Sequence, residues 1–133
     1  MSRPGLHAYT DGSQTSTSAG AAFVVFSDLE TIQAVQRFRL ASPGSSFNAE
    51  TFALHQLIQY FFSNTPTSPL HIYTDCLCLL MALNNPFTIS SSIQTLKDNI
   101  SFLPSIVPVN IYHAHSGVWG NELVDIIAIY AAT

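Results

Sequence analysis

The sequence predicts an α/β domain built on a five-stranded mixed sheet: a three-strand antiparallel meander continued by parallel strands, with helices on both faces. Three observations predict it. Apolar runs of strand length follow one another at the N-terminus with only short polar turns between them. The apolar period then changes from strand-like to helical near Phe47. From there strands and helices alternate to the end of the chain, an order that sets later strands parallel.

Each element follows in turn. Residues 7–11, HAYTD, read as a first strand closed by Asp11-Gly12-Ser13, a turn signal. Residues 19–26, AGAAFVVF, form a second strand, residues 27–30 turn the chain, and residues 31–40 return as a third. Residues 42–46, SPGSS, break the pattern. Over residues 47–62 the apolar side chains Leu54, Leu57, Ile58 and Phe61 recur at helical spacing, so one face of an amphipathic helix packs on the sheet. The stretch from Asn64 to Pro69 ends that helix. Residues 70–75 are a fourth strand, followed by an apolar helix through Leu83 that Asn84-Asn85-Pro86 stops. Residues 91–103 are a further helix with Ser90, Ser91 or Ser92 as its cap. Residues 107–112 are the fifth strand and residues 121–132 the closing helix. The order is β-β-β-α-β-α-α-β-α.

The 133 residues fit one domain, residues 1–133, large enough to bury a core without disulfides or structural metals. No apolar stretch reaches the ~18 to 20 residues that span a bilayer. The N-terminal Met1-Ser2-Arg3-Pro4-Gly5 lacks the apolar segment of a secretory signal, so an intracellular, non-secreted domain with no membrane partner is expected. Cys76 and Cys78, two apart in an apolar run, are expected as buried free thiols. Only 9% of residues are charged, the cations being Arg3, Arg37, Arg39 and Lys97, and the net charge is −4. A free-standing nucleic-acid binder carries a basic stripe, and this chain has none. Any action on nucleic acid must draw its positive charge from metal ions or from a fused or partner domain.

Four acids stand where acids are unfavourable. Tyr-Thr-Asp occurs twice, ending in Asp11 and in Asp75, each at the carboxyl end of a predicted strand. If the strands lie parallel and adjacent, both open into the crevice where α/β sheets bind ligands. Each alone has an ordinary alternative, capping the turn or helix that follows. Glu50 lies four residues before Leu54 and seven before Leu57, on the apolar stripe of its helix, where an unpaired carboxylate is costly. Asp125 is set among Val124, Ile126, Ile127, Ala128 and Ile129. Either could instead be an early-helix acid facing solvent. If all four gather, like charges raise one another's pKa unless a cation neutralises them. No lysine or arginine is near any of them in sequence, whereas a divalent metal would serve. An all-oxygen set suits Mg²⁺ or Mn²⁺, and a metal pair suits phosphodiester hydrolysis.

The pieces Tyr9-Thr10-Asp11-Gly12-Ser13, Asn48-Ala49-Glu50, Tyr73-Thr74-Asp75 and the run from His115-Ser116-Gly117 through Gly120-Asn121-Glu122 to Asp125 resemble the type 1 ribonuclease H family. The match runs from about His7 to Ala132. The resemblance implies the ribonuclease H-like fold and an endonuclease that hydrolyses the RNA strand of RNA/DNA hybrids with two Mg²⁺ ions, for which Mn²⁺ substitutes. It implies that Asp11 bridges both metals, that Asp125 joins it on the metal carrying the nucleophilic water, and that Glu50 and Asp75 hold the other. Glu50 would also meet a ribose 2′-hydroxyl, a contact that separates RNA from DNA. His115 falls at the family's mobile-loop histidine, assigned to proton movement or product release, while His113 reads as structural. Gly12, Ser13, Ser46 and Asn48 are the expected substrate contacts, and Asn121 and Glu122 the outer shell of the metal site.

The runs from Ser45 to Glu50 and from Gly117 to Glu122 look closest to the ribonuclease H domains of non-LTR, LINE-type retrotransposons. That likeness implies a retroelement polyprotein and a fused or associated reverse transcriptase domain, the isolated domain itself being monomeric. Three positions depart from the family pattern: Ala114 stands for the glycine before the loop histidine, Ile111 for an aromatic, and basic residues are few. None is an expected metal ligand. Two other readings compete. One is a non-catalytic ribonuclease H-like scaffold or nucleic-acid platform, which would typically have lost an acid. The other is an integrase or junction resolvase of the same superfamily, which would not be expected to combine Asp-Gly-Ser with the His-Ser-Gly run.

Overall fold

A computed structural model describes residues 4–41, 46–87, 90–103, 108–114 and 119–132. Its elements are β1 (Leu6–Gln14), β2 (Ala19–Phe26), β3 (Ile32–Leu40), α1 (Ser46–Ser63), β4 (Leu70–Thr74), α2 (Leu77–Asn84), α3 (Ser91–Ser101), β5 (Val109–His113) and α4 (Trp119–Ala132). This is the order read from the sequence. The five strands form one sheet in the order β3-β2-β1-β4-β5. β1 pairs antiparallel with β2 and β2 with β3, whereas β1 pairs parallel with β4 and β4 with β5.

Alternation along the strands sorts the side chains between two cores. On one face Ala8, Phe23, Val25 and Ile72 meet Leu54, Leu57, Ile58 and Phe61 of α1, with Leu79 of α2 and Ile93 and Leu96 of α3 completing the cluster. On the other, Tyr9, Ala22, Val24 and Phe26 meet Val124 and Ala128 of α4. β2 is buried along its whole length because both faces are covered, and so it reads as a continuous apolar run. β3 is an edge strand and carries Arg37 and Arg39.

Caps account for the helix ends. The Asn64 backbone N–H and side-chain amide both donate to the Tyr60 carbonyl, closing α1. The Ser90 hydroxyl accepts from the Ile93 N–H and starts α3.

Two expectations change. Asp11-Gly12-Ser13 is not a turn: β1 runs on to Gln14, with Gly12 opposite Ala21 and Ser13 opposite Gly20. The reversal comes later, where Thr15 N–H donates to the Ser18 carbonyl at 2.8 Å and the Thr15 hydroxyl accepts from Ser18 N–H at 3.0 Å. The thiols are not buried as expected. Cys76 is half-buried and Cys78 exposed, because the first turn of α2 lies at the protein surface.

Candidate metal centre

The last register pair between β1 and β4 is Thr10 with Thr74. The next residue along each is an acid, so Asp11, still within β1 and opposite Ala22 of β2, and Asp75, just past the end of β4, follow the last paired position side by side. Asp11 is 2% exposed, while Asp75, past the end of β4, is exposed. α1 supplies the third acid from the opposite face. It approaches β1 so closely at Gly12 that a Cβ there would lie 2.6 Å from the Ala49 Cβ and 2.6 Å from the Glu50 nitrogen. The glycine that reads as a turn former therefore permits close approach, and it brings Glu50 over the strand. Glu50 is 6% exposed.

Oxygen atoms of Asp11, Glu50 and Asp75 all lie within 4.8 Å of one another. Asp125, exposed on α4, stands outside that group of three, yet its side chain hydrogen-bonds with Asp11 and its charge acts on Asp75. The centre thus draws one acid from within β1, one from the end of β4 and one from a helix on either face.

The electrostatics follow from burial without neutralisation. Burial is the largest influence on Asp11 and pushes its pKa far above the carboxylate range, with Glu50, Asp125 and Asp75 adding to the rise. Burial likewise lifts Glu50 to about 7; a hydrogen bond with Asp11 opposes it and the Asp75 charge adds to it. Asp75 is also raised, by burial and then by Asp125, and His113 acts in the opposite sense. One oxygen of Asp11 accepts from the Gly12 N–H at 2.9 Å. Its other oxygen and one oxygen of Glu50 are buried and have no hydrogen-bond partner among the described residues. Buried acceptors with no donor are rare because each carries its full desolvation penalty. Orphaned oxygens in a hard, all-carboxylate donor set fit a divalent cation of the Mg²⁺ or Mn²⁺ class.

The remaining expected site residues divide by location. Gly12 and Ser13 lie on β1 just beyond the acids, Ser46 opens α1, and Asn48 is exposed one turn into it. Asn121 is buried with its amide oxygen unpartnered, whereas its neighbour Glu122 is exposed on the outward side of α4. His115 lies outside the described residues.

The sequence reading missed three neighbours. His113, taken as structural, is exposed and its Nε2 meets the Asp75 carbonyl at 3.3 Å. The buried Thr10 hydroxyl lies in the strand next to Asp11 and has no partner among the described residues. A groove of about 410 Å³ also runs between α1 and α3, lined by Asn48, Thr51, His55, Ser91, Ser92 and Thr95 among others. The serine run before α3 signalled a cap, but nothing in the sequence places that cap beside Asn48.

No family model and no curated protein sequence matches the chain. Solved structures do match. The crystal structure of RNase H1 from the halophilic archaeon Halobacterium salinarum superposes with a TM-score of 0.76 at 19% identity, over 95% of this chain and 96% of that one. The foamy viral protease-reverse transcriptase in complex with RNA/DNA hybrid matches with a TM-score of 0.79 at 18% identity, over 96% of this chain, which spans 20% of that protein. LC11-RNase H1 in complex with RNA/DNA hybrid gives a TM-score of 0.65 at 14% identity, over 95% of this chain and 98% of that one. The chain has the ribonuclease H-like fold.

Proposed function

We propose that this chain is a metal-dependent ribonuclease H that cleaves the RNA strand of RNA/DNA hybrids. One observation carries the reading: Asp11, Glu50 and Asp75 bring oxygens within 4.8 Å of one another, and one buried oxygen each of Asp11 and Glu50 has no hydrogen-bond partner among the described residues. Structures of the same fold hold RNA/DNA hybrid, which supports the substrate class.

Asp11 and Asp125 would hold one Mg²⁺ ion, and Asp11 with Glu50 and Asp75 a second. Ions held there would supply an activated water and stabilisation of the leaving oxygen. The chain's own part is to hold the acids in place on rigid elements; burial raises their pKa, so it is the charge of a bound cation that would keep them ionised. Glu50, anchored where α1 meets Gly12, would also meet the ribose 2′-hydroxyl. His115 would assist proton movement or product release.

The scarcity of cations supports the further reading that the domain works in a retroelement polyprotein of the LINE type, beside a reverse transcriptase that supplies the grip. With a net charge of −4, few phosphate contacts come from the chain itself.

The test is cleavage of labelled RNA/DNA hybrid, duplex RNA and duplex DNA, with Mg²⁺, Mn²⁺ or EDTA, beside Asp75→Asn. Cleavage of the hybrid alone, dependent on metal, lost in the variant and falling steeply with salt, is expected. Equal cutting of duplex DNA would assign the site to another nuclease of the fold. No cutting at low salt with Mn²⁺ would leave a binding module.

A further inference from the structure

Of the three acids that gather, Asp75 alone lies in neither a strand nor a helix. Asp11 is paired with Ala22 inside the β1/β2 ladder, and Glu50 stands within α1. Asp75 follows the last register pair of β4 and β5, Thr74 with His113, and precedes Cys76, the cap residue of α2. Regular hydrogen bonding therefore sets the direction of two carboxylates and leaves the third to local contacts. Asp75 is also exposed, so packing does not hold it.

Two peptide planes meet at the Asp75 Cα, and their orientations set its φ and ψ and with them the direction of its side chain. The preceding plane is held at the Thr74 carbonyl, which accepts from the Ala114 N–H at 2.7 Å. The following plane is held at both ends. The Cys76 N–H donates to the buried Thr74 hydroxyl at 3.1 Å, and the Asp75 carbonyl meets His113 Nε2 at 3.3 Å. A carbonyl can only accept, so the imidazole is the donor and carries its proton on Nε2. The end of β5 thus grips both planes, the first through its backbone and the second through one side chain. His113 is exposed at that end, beyond Val109 and Ile111, which pack against the core under α1. Its imidazole is spent on the Asp75 backbone and not on the core.

We propose that His113 is a positioning residue for the acid cluster: by holding the Asp75 carbonyl it aims the Asp75 carboxylate at Asp11 and Glu50. The inference deepens the proposed metal-dependent reading and rests on it for the purpose of the grip, not for its geometry. What the position requires is a donor at the reach of Nε2. Glutamine carries an amide nitrogen the same number of bonds from Cβ and can replace the imidazole. The asparagine amide stops one bond short, and leucine has no donor.

The test compares the full chain with His113→Leu, His113→Asn and His113→Gln by two measurements, neither of which needs activity. In EDTA, amide hydrogen exchange followed by nuclear magnetic resonance reports the Cys76 N–H. Its exchange should quicken roughly fivefold in the leucine and asparagine variants and return to the parent rate in the glutamine variant. The core amides of Val24 and Ile72 should keep their rates in all three, as a merely structural loss would not allow. Calorimetric titration with Mn²⁺ should then show affinity lowered on the order of tenfold by His113→Leu and His113→Asn and largely restored by His113→Gln. If His113→Leu does not fold, the asparagine and glutamine variants decide the matter. Cys76 exchange indifferent to the loss of the donor overturns the proposal, and so does a glutamine variant as impaired as the asparagine one. Unchanged Mn²⁺ affinity in a variant whose Cys76 amide has loosened also overturns it, because Asp75 would then be aimed without His113. A parent chain that takes up no Mn²⁺ while the exchange pattern holds would refute the metal centre and uphold the grip on Asp75.

Discussion

Tyr9 and Tyr73 are register partners across the parallel β1/β4 pair, and their rings stack 4.7 Å apart at an interplanar angle of 16°. The stack continues to Tyr112 on β5, with Tyr73 and Tyr112 5.2 Å apart. Because the two Tyr-Thr-Asp segments run in the same direction and in register, whatever fixes the tyrosines also fixes the aspartates two residues on. The repeated tripeptide is thus a positioning device: packing at the tyrosines sets the spacing of like charges that would otherwise move apart.

That enforced repulsion predicts how the metal-free protein responds to pH. For an acid whose folded pKa lies above its unfolded value, the folded state keeps an extra proton between the two values. Its contribution to stability is full below the unfolded pKa and is lost as pH rises through the folded one. Asp11, Glu50 and Asp75 are all raised, Glu50 to about 7. In EDTA, stability should fall as pH climbs from ~4 through neutrality. In Mg²⁺ or Mn²⁺ the decline should flatten, because the ion replaces the proton. Thermal melts from acid to mildly alkaline pH, with and without metal, test this. Parallel curves in the two conditions would exclude metal from the acid cluster.

Neutralising the most strongly perturbed acid should separate stability from chemistry. Asp11→Asn keeps the shape and removes a buried charge with an unpartnered oxygen. Metal-free and above pH 7, the variant should be more stable than the parent by on the order of 1 to 2 kcal/mol, a pKa unit being worth about 1.4 kcal/mol. It should also lose hybrid cleavage and the stabilisation by metal. Urea denaturation in EDTA gives the first quantity and melting with Mn²⁺ the second. A less stable Asp11→Asn would mean that the hydrogen bonds this carboxylate makes with the Gly12 N–H and with Glu50 outweigh the cost of burying its charge.

Much of this site was legible before the structure. Asp11 and Asp75 could be paired because each closes the same Tyr-Thr-Asp tripeptide on a predicted strand. Glu50 betrayed itself as an acid on an apolar stripe. Gly12 was legible as a glycine and its reason was not: Asp-Gly-Ser is a turn signal by local chemistry, but the helix that excludes a Cβ comes from residues 49 and 50. Tertiary approach overrode the local preference. The exposure of Cys78 was hidden likewise, since an apolar run does not show which side of a short helix meets the sheet.

The same approach makes Gly12 sensitive to one methyl group. A Cβ would meet the Ala49 carbonyl carbon, the Ala49 Cβ and the Glu50 nitrogen, each at 2.6 Å. Two of these are backbone atoms of α1, which cannot rotate away. Gly12→Ala should cost about 1 to 3 kcal/mol by overpacking, and it should push Glu50 off Asp11. Weakened Mn²⁺ binding beyond what the lost stability explains, measured by calorimetry on the folded variant, is the expected signature. Unchanged metal affinity would show that α1 can retreat without carrying the carboxylate away.

Gly120 locks the second helix to the same tyrosine row. A Cβ there would lie 2.3 Å from Cε1 of Tyr9 and 2.6 Å from its Cδ1 and Cζ. Tyr9 is 2% exposed, stacked on Tyr73 and edge-on to Phe26 at 5.8 Å, so its ring has nowhere to go. The strain of Gly120→Ala must lift the N-terminal turn of α4, the segment that sets the height of Asp125 five residues later. A loss of about 1 to 3 kcal/mol is expected. The acids should respond unequally. Asp11, Glu50 and Asp75 stay on β1, α1 and the end of β4, so a residual metal site survives, while Asp125 shifts with its helix. Cleavage should therefore fall more than metal-induced stabilisation does, and Gly120→Ala should resemble Asp125→Asn more than Asp75→Asn. Side-by-side melting and cleavage assays with Mn²⁺ measure the difference. Equal loss of both would show that the α4 contact supports the whole cluster rather than its fourth acid.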